Sequence, residues 1–105
     1  MSLFSPEGVL ALSGALLGLG LFGILTRRNF ILLLISIEIA MNAAILNFVA
    51  FATFSGTSSG LTGQAIAVVV VGLAATEIAV GLAIVLALNR IRGSINVAEA
   101  SVLKL

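Results

Sequence analysis

The sequence predicts an all-α membrane protein with three transmembrane helices. Apolar residues make up 61% of the 105 residues, charged residues only 9%, and the mean hydropathy is +1.33. A soluble domain of this length needs more polar surface to cover itself. Between Arg28 and Arg90 the only formal charges are Glu38 and Glu77. Apolar stretches of this length are typical of helices that cross a bilayer.

The first predicted helix extends from about residue 7 to residue 25. Pro6 and Glu7 suit a first turn, because the N–H that proline lacks has no partner there and a negative charge meets the positive end of the helix dipole. Gly14 and Gly18 form a small-xxx-small pair of the kind that lets membrane helices approach closely. Positive charges follow this apolar segment, whereas a signal peptide carries them in front, so we expect no cleavage.

The second predicted helix covers residues of about 29–54 and has polar side chains on two sides. Glu38 and Asn42 are four residues apart and share a face, while Ser36 and Asn47 fall almost opposite them. Lipid alone offers no hydrogen-bond partners for the polar side chains of such a helix. We therefore expect Asn42, Asn47 and Ser36 to hydrogen-bond other helices, and we expect partner subunits around the chain.

The third predicted helix covers residues of about 64–89, after an uncharged Ser/Thr/Gly run at 55–63 that has turn chemistry. Glu77 and Gly81 share one of its faces. Small residues that favour close packing follow another face: Gly72, Ala75, Ala79, Ala83 and Ala87. Residues 90–105 form a tail, so residues 1–105 are predicted to be one membrane domain.

The basic residues predict the orientation. In a three-helix topology they all fall on one side of the membrane: Arg27, Arg28, Arg90, Arg92 and Lys104. Because basic residues are enriched in cytoplasmic segments, we expect the C-terminal tail in the cytoplasm. The N-terminus and the 55–63 loop are then expected outside.

Glu38 and Glu77 are the candidate functional residues. A charge at the centre of a membrane helix costs about 2.5–3.5 kcal/mol on insertion scales. Counted from the helix ends, the two acids differ in depth by only about 4–5 Å at about 1.5 Å per residue. The structural alternative is that each acid stays protonated and hydrogen-bonds a neighbour. The functional interpretation is a pair of stations for protons or cations, with transfer along the membrane plane.

The composition also excludes several classes of site. The chain has no Cys and no His, so it lacks the ligands of iron–sulfur clusters, of His-bound haem and of the usual zinc sites. A nucleophile activated by His is excluded too. A net charge of +1 argues against nucleic-acid binding. We expect no redox centre and no cofactor in this chain.

Several short motifs resemble the K subunit of proton-pumping NADH:quinone oxidoreductase, respiratory complex I. They are RRN at 27–29, SIEIAMNAAILNF at 36–48, GQA at 63–65, AATEIAVGLAI at 74–84 and RGSINVAE at 92–99. Their order and spacing match that family from about Leu21 to the C-terminus, while residues 1–20 match only as an apolar helix. Ala98 departs from the family, which often has an acid before the tail glutamate, Glu99.

The resemblance implies a function. Glu38 and Glu77 look like the family's intramembrane carboxylates in its proton pathway, and Arg27, Arg28 and Asn29 look like its cytoplasmic loop. It further implies other membrane subunits as partners, with FMN, iron–sulfur clusters and quinone held elsewhere in the complex. The expected location is the bacterial inner membrane. The alternative is that the chain is an organellar homologue, located in an organellar inner membrane or in the thylakoid membrane. Relatives of the complex take electrons from reduced ferredoxin or other carriers.

Four alternatives remain. A similar small subunit occurs in multisubunit cation/proton antiporters, as a rule without the two glutamates. A homo-oligomeric transporter of cationic drugs typically surrounds the cation with aromatic residues, but this chain has no Trp or Tyr. A rotary-ring proteolipid is normally a two-helix hairpin with one acid. The glutamates argue against the fourth alternative, a purely structural assembly subunit.

Overall fold

A computed structural model describes residues 2–56 and 59–92, which hold three long helices. They are α1 (Pro6–Thr26), α2 (Phe30–Phe54) and α3 (Ser59–Arg92). Each is long and apolar enough to cross a membrane. The predicted fold class, an all-α protein with three membrane-spanning helices, is therefore confirmed.

Local sequence explains both ends of α1. The Ser5 side chain accepts a hydrogen bond from the Gly8 N–H at 3.1 Å, and Pro6 occupies the first helical position. At the other end, the Arg27 N–H donates to the Gly23 carbonyl at 3.0 Å. The predicted range of about 7–25 is correct to within one residue at each end.

Helix α2 starts one residue later than predicted, because Asn29 caps the helix from outside. Its side-chain oxygen accepts hydrogen bonds from the N–H groups of Ile31 at 2.9 Å and Leu32 at 3.4 Å. After the last helical residue, Phe54, the chain turns through Gly56, whose φ of 64° favours glycine. The predicted end at residue 54 is correct.

Helix α3 is longer than predicted. It begins at Ser59 and ends at Arg92, so the predicted start at 64 was five residues late and the predicted end at 89 was three residues early. Gly60 is buried, and a Cβ added to it would lie 2.6 Å from the Ala52 carbonyl oxygen. This packing against α2 supports helix in a segment whose Ser, Thr and Gly residues suggested a loop. Residues 93–105 of the predicted tail lie outside the described residues.

The helices form a single layer with α2 in the middle. Helix α2 packs against α1 on one side and α3 on the other, while α1 and α3 make almost no contact. The molecule measures 54 × 26 × 18 Å. Large apolar side chains are consequently exposed on the outer helices, such as Leu25 (83% exposed) and Val68 (71% exposed). Exposed apolar surfaces of this kind are typical of helices that lie against lipid or against other membrane helices.

Candidate intramembrane acid site

Helix α1 meets α2 through glycines. A Cβ added to Gly20 would lie 2.8 Å from the Ala40 Cβ, and one added to Gly23 would collide with the Ser36 hydroxyl. By contrast, Gly14 and Gly18 are exposed and have nothing within 4 Å of an added Cβ. Gly14 and Gly18 therefore make no close contact within the described residues of this chain, and their packing against other helices stays a prediction. The α1–α2 contact lies one to two turns further along the helix.

A side-chain hydrogen bond joins the same two helices. The Ser13 hydroxyl, only 3% exposed, donates to Asn47 Oδ1 at 2.6 Å. This confirms Asn47 as an interhelical hydrogen-bond partner. Ser36 instead donates to the Leu32 carbonyl of its own helix at 2.8 Å. The polar residues opposite Glu38 thus hold α2 against α1 by packing and by one hydrogen bond.

Two close approaches fix how α2 and α3 align. A Cβ added to Gly81 would lie 2.5 Å from Leu34 Cδ2, and one added to Gly63 would lie 2.9 Å from the Ala52 Cβ. Ala52 comes 18 residues after Leu34, and Gly63 comes 18 residues before Gly81. Because 18 residues make five full turns, both pairs lie on one face of each helix. The two helices therefore run antiparallel in a single uninterrupted register.

This register aligns the acids in depth. Leu34 contacts Gly81. Glu38 lies four residues after Leu34, and Glu77 lies four residues before Gly81. Because the helices are antiparallel, both acids are displaced from this contact by the same distance in the same direction. The two acids consequently lie at the same depth along the helix axes. Helix α3 extends further beyond this depth than α2 does. Counting from the helix ends put them about 4–5 Å apart in depth. The helix contacts give the closer alignment.

The two acids differ in their surroundings. Glu38 belongs to the stripe of α2 that faces α3 and is half-buried, whereas Glu77 is exposed at the edge of the facing stripe of α3. We call this contact the α2–α3 seam. In it Leu34 contacts Gly81, and Ala52 contacts Gly60 and Gly63. By helix periodicity the same stripes hold Glu38, Met41, Ile45 and Phe48 on α2 and Ala67, Ala74, Val85 and Leu88 on α3.

Asn42 lies beside the seam and not within it. It is exposed, and no hydrogen bond links it to Glu38 among residues 2–56 and 59–92. Asn42 therefore presents its amide to whatever covers this side of α2. On α3, the small residues predicted as a packing face are exposed as well: Gly72, Ala75, Ala79, Ala83 and Ala87. Within this chain a different small-residue face of α3 packs against α2, so packing of the exposed face against other subunits stays a prediction.

The basic residues gather at one end of the layer. Arg27 and Arg28 are exposed in the connection between α1 and α2, and Arg90 is exposed near the end of α3. The antiparallel register brings these two regions to the same side. We call it the arginine end. The side chain of Arg92 and all of Lys104 lie outside what the structure describes.

Sequence reasoning missed Leu34 and Ser13, which both contact a neighbouring helix. A signal for their contacts exists in the spacing of small residues. They recur every seven residues on α3 at Gly60, Ala67, Ala74 and Gly81, and on α2 at Ser36, Ala43 and Ala50. A seven-residue repeat is typical of a left-handed helix pair. Exposed Ala65, Gly72 and Ala79 follow the same spacing on another face of α3, so the repeat narrows the choice of packing face without deciding it.

The fold and the acids define a class of protein: a small, three-helix integral membrane subunit with two carboxyl groups at one intramembrane level. The chain belongs to the family of NADH-ubiquinone/plastoquinone oxidoreductase chain 4L, whose family model matches residues 8–105. The predicted resemblance is thus confirmed. It also begins earlier than predicted, since the match includes nearly all of α1.

Bacterial relatives support the same family over almost the whole chain. NADH-quinone oxidoreductase subunit K of Anaeromyxobacter sp. (strain K) is 52% identical over 97 residues, which are 92% of this chain and 95% of the relative. The subunit K of Bacillus anthracis is 45% identical over 104 residues, or 99% of each chain. Subunit K 1 of Syntrophobacter fumaroxidans is 48% identical over 95 residues, or 90% of this chain and 92% of the relative.

Proposed function

We propose that this chain is a non-redox membrane subunit of a proton-translocating NADH:quinone oxidoreductase. In this role Glu38 and Glu77 pass protons within the hydrocarbon layer. The observation that carries the proposal is the alignment of two carboxyl groups at one level on adjacent antiparallel helices. Family membership supplies the kind of complex in which such a pair would work.

An acidic side chain in lipid is energetically costly. A charged side chain at the helix centre costs about 2.5–3.5 kcal/mol on insertion scales, and each acid adds this separately. A purely structural hydrogen bond needs one polar group and does not explain two acids at one depth. Proton transfer does explain them, because a carboxyl group can alternate between neutral and charged forms when water or polar groups connect it to a neighbour.

The exposure of Glu77 supports partner subunits. Glu77 and Asn42 are both exposed on the surface of this chain at membrane depth. Lipid satisfies neither side chain, so polar groups of other helices or enclosed water must cover them. The proton path accordingly includes groups that other membrane subunits provide, with Asn42 as a supporting residue.

The electron carriers belong to other subunits in this proposal. Iron–sulfur clusters need thiolate or, in some cases, imidazole ligands, and the chain contains no Cys and no His. Iron–sulfur clusters are therefore placed on other subunits, and FMN and quinone are placed there because family membership in the complex implies it. The contribution of this chain is to hold its two carboxyl groups at a fixed depth and spacing.

The proposed orientation places the arginine end in the cytoplasm, with the N-terminus outside, in a bacterial inner membrane. It follows from the segregation of Arg27, Arg28 and Arg90 to one side of the layer. Arg27 and Arg28 anchor this orientation first. They also offer a basic contact to a neighbouring subunit, because both are exposed.

Two experiments test the proposal. The tagged chain, purified from native membranes in mild detergent, is expected to co-migrate with flavin and iron–sulfur proteins and with NADH:quinone reductase activity. In the same complex, Glu38→Gln combined with Glu77→Gln is expected to remove redox-driven proton pumping while the complex still assembles. Purification without redox proteins would contradict the assignment to the complex. Normal pumping by the double variant would contradict the role of the acids.

A further inference from the structure

We propose that a notch beside Asn47 on α2 is the docking site for a membrane helix of another subunit, which places a hydrogen-bond acceptor on the free side of the Asn47 amide. The notch is lined by Ala44, Asn47, Phe48 and Phe51 and has a volume of about 230 Å³. We call it the Asn47 notch. The proposal rests on the membership of this chain in a multisubunit complex and does not depend on proton transfer by the two acids.

The Asn47 side chain uses only half of its hydrogen-bonding capacity within this chain. Its Oδ1 accepts from the Ser13 hydroxyl at 2.6 Å. Its Nδ2 carries two N–H donors, and neither has a hydrogen-bond partner among residues 2–56 and 59–92. Nδ2 is also not sealed inside the chain, because no side-chain nitrogen or oxygen in those ranges is both fully buried and unpaired. The amide therefore presents donors to whatever occupies the notch.

Lipid does not satisfy these donors at this depth. Asn47 lies seven residues before Phe54, the last residue of α2, and so about 10 Å inside that end of the helix. The helix, at about 37 Å, is longer than the hydrocarbon layer of about 30 Å, so Asn47 lies within the hydrocarbon. Acyl chains carry no hydrogen-bond acceptor, and an unpaired polar group among them is energetically costly. The acceptor must come from another molecule.

The lining and the size of the notch decide what kind of molecule this is. A bound water needs two to four polar partners, but Asn47 is the only polar residue that lines the notch. Pockets that bury small-molecule ligands hold about 300–1,000 Å³, which is more than the notch offers. A side chain from a neighbouring helix fits this space. The occupant is therefore a protein side chain with an acceptor oxygen, such as a hydroxyl or an amide carbonyl.

The surface around the notch has the profile of a helix contact. Ala44, Phe48 and Phe51 follow one face of α2 at spacings of four and three residues. The two phenylalanines, 40% and 62% exposed, stand beside a small exposed alanine. Small residues let membrane helices approach closely, and aromatic residues are enriched at the centres of protein interfaces. A second helix can thus cross α2 at Ala44 and place its acceptor at Asn47.

Two substitutions separate the external hydrogen bond from the internal one. Ser13→Ala removes only the bond inside this chain, whereas Asn47→Leu keeps roughly the size of the side chain and removes the whole amide. Replacing both partners of a hydrogen bond by apolar groups of similar shape is nearly neutral. The double variant should still yield several-fold less assembled complex on native gels than Ser13→Ala alone, because the acceptor of the other subunit stays unpaired. Equal amounts would overturn the docking site.

Photo-cross-linking identifies the occupant without removing the amide. Phe51 is replaced by p-benzoylphenylalanine, which is also aromatic, the purified complex is irradiated, and the captured peptide is sequenced. We expect a transmembrane segment of another subunit, cross-linked within one turn of a residue that carries an acceptor oxygen. Cross-links only to lipid, to a second copy of this chain, or to a segment without an acceptor would overturn the proposal.

Phe22 is the matched control for the cross-link. It is 61% exposed, like Phe51 at 62%, but it lies near the arginine end of α1, whereas Phe51 lies near the opposite end of the layer. The same substitution at Phe22 should not capture the peptide that position 51 captures. Capture of one peptide from both positions would show unspecific reaction and would also overturn the docking site.

The docking site and the proton role of the acids fail separately. Native gels and cross-links report on assembly whether or not Glu38 carries protons. Normal pumping by assembled Glu38→Gln, together with the expected cross-link, would refute the proton role and leave the docking site standing. Lost pumping in Glu38→Gln, together with cross-links only to lipid, would do the reverse.

Discussion

At the scale of single residues, Glu38 and Glu77 have the same chemistry in different positions. Glu38 is half-buried between two helices of this chain, whereas Glu77 is exposed at the edge of the seam. In the proposed function, polar groups of other subunits would therefore have easier access to Glu77 than to Glu38. The sequence alone identified both acids, because an uncompensated carboxyl group in an apolar segment is visible without a structure. Their difference in burial depends on which helix faces which, and no local pattern reveals it.

The hydrogen bond between Ser13 and Asn47 makes a prediction at the same scale. Ser13→Ala removes the only donor that Asn47 Oδ1 has among the described residues, at a position that is 3% exposed. Interhelical hydrogen bonds in membranes contribute about 0.6 kcal/mol on average, so we expect a small loss of thermal stability of the assembled complex.

Thr26→Val is the matched control for that change. The Thr26 hydroxyl is exposed and donates to the Phe22 carbonyl of its own helix at 2.6 Å, so its loss should leave α1 and α2 together. The measurement is the melting temperature of the purified complex. A larger decrease for Thr26→Val than for Ser13→Ala would contradict the role assigned to the Ser13–Asn47 bond.

At the scale of helices, the glycines of α1 are not equivalent. A Cβ on Gly20 would lie 2.8–2.9 Å from three atoms of Ala40, two of them backbone, while Gly14 has open space. Gly20→Ala must push α1 away from α2, and overpacking of this kind costs about 1–3 kcal/mol. We expect less assembled complex on native gels for Gly20→Ala. Gly14→Ala is the matched control, and equal losses for the two variants would contradict the helix contact.

The helices also show what sequence could and could not predict. Residue types at the ends of α1 and α2 determine those ends locally, through Ser5, Pro6 and Asn29, so prediction was accurate there. The start of α3 depends on how Gly60 packs against α2, and turn chemistry gave the wrong answer. Small residues occur on more than one face of α1 and α3. Seven-residue spacing does not separate these faces either, because exposed Ala65, Gly72 and Ala79 repeat along α3 in the same way as the residues that pack.

At the scale of the whole molecule, a single layer of helices is an incomplete structure. It leaves polar groups exposed at membrane depth, notably Asn42 and Glu77, together with many large apolar side chains. The composition predicted partner subunits for the same reason, since three helices have too few inward faces to cover every polar group. The sequence could not show that α1 and α3 lie on opposite sides of α2, because that arrangement depends on tertiary contacts.

The orientation of this layer gives a further prediction. Ser2 is exposed at the end opposite the arginine end, and Asn89 is exposed beside Arg90. Thiols introduced by Ser2→Cys and Asn89→Cys are expected to react with impermeant reagents from outside and from the cytoplasm respectively. Oriented vesicles of both polarities provide the measurement. Reaction of both thiols from one face would contradict the three-span topology, and exchanged faces would contradict the positive-inside assignment alone.

The measurement that tests the central claim most directly is the number of protons pumped per quinone reduced by the assembled complex carrying Glu38→Gln. An amide keeps the shape of the side chain but cannot take up and release a proton, so we expect most of the pumping to be lost. Glu77→Gln should lower it less, and Glu7→Gln, at an exposed first-turn position of α1, is the matched control. If assembled Glu38→Gln pumps at the normal rate and ratio, Glu38 is not a proton-transfer group.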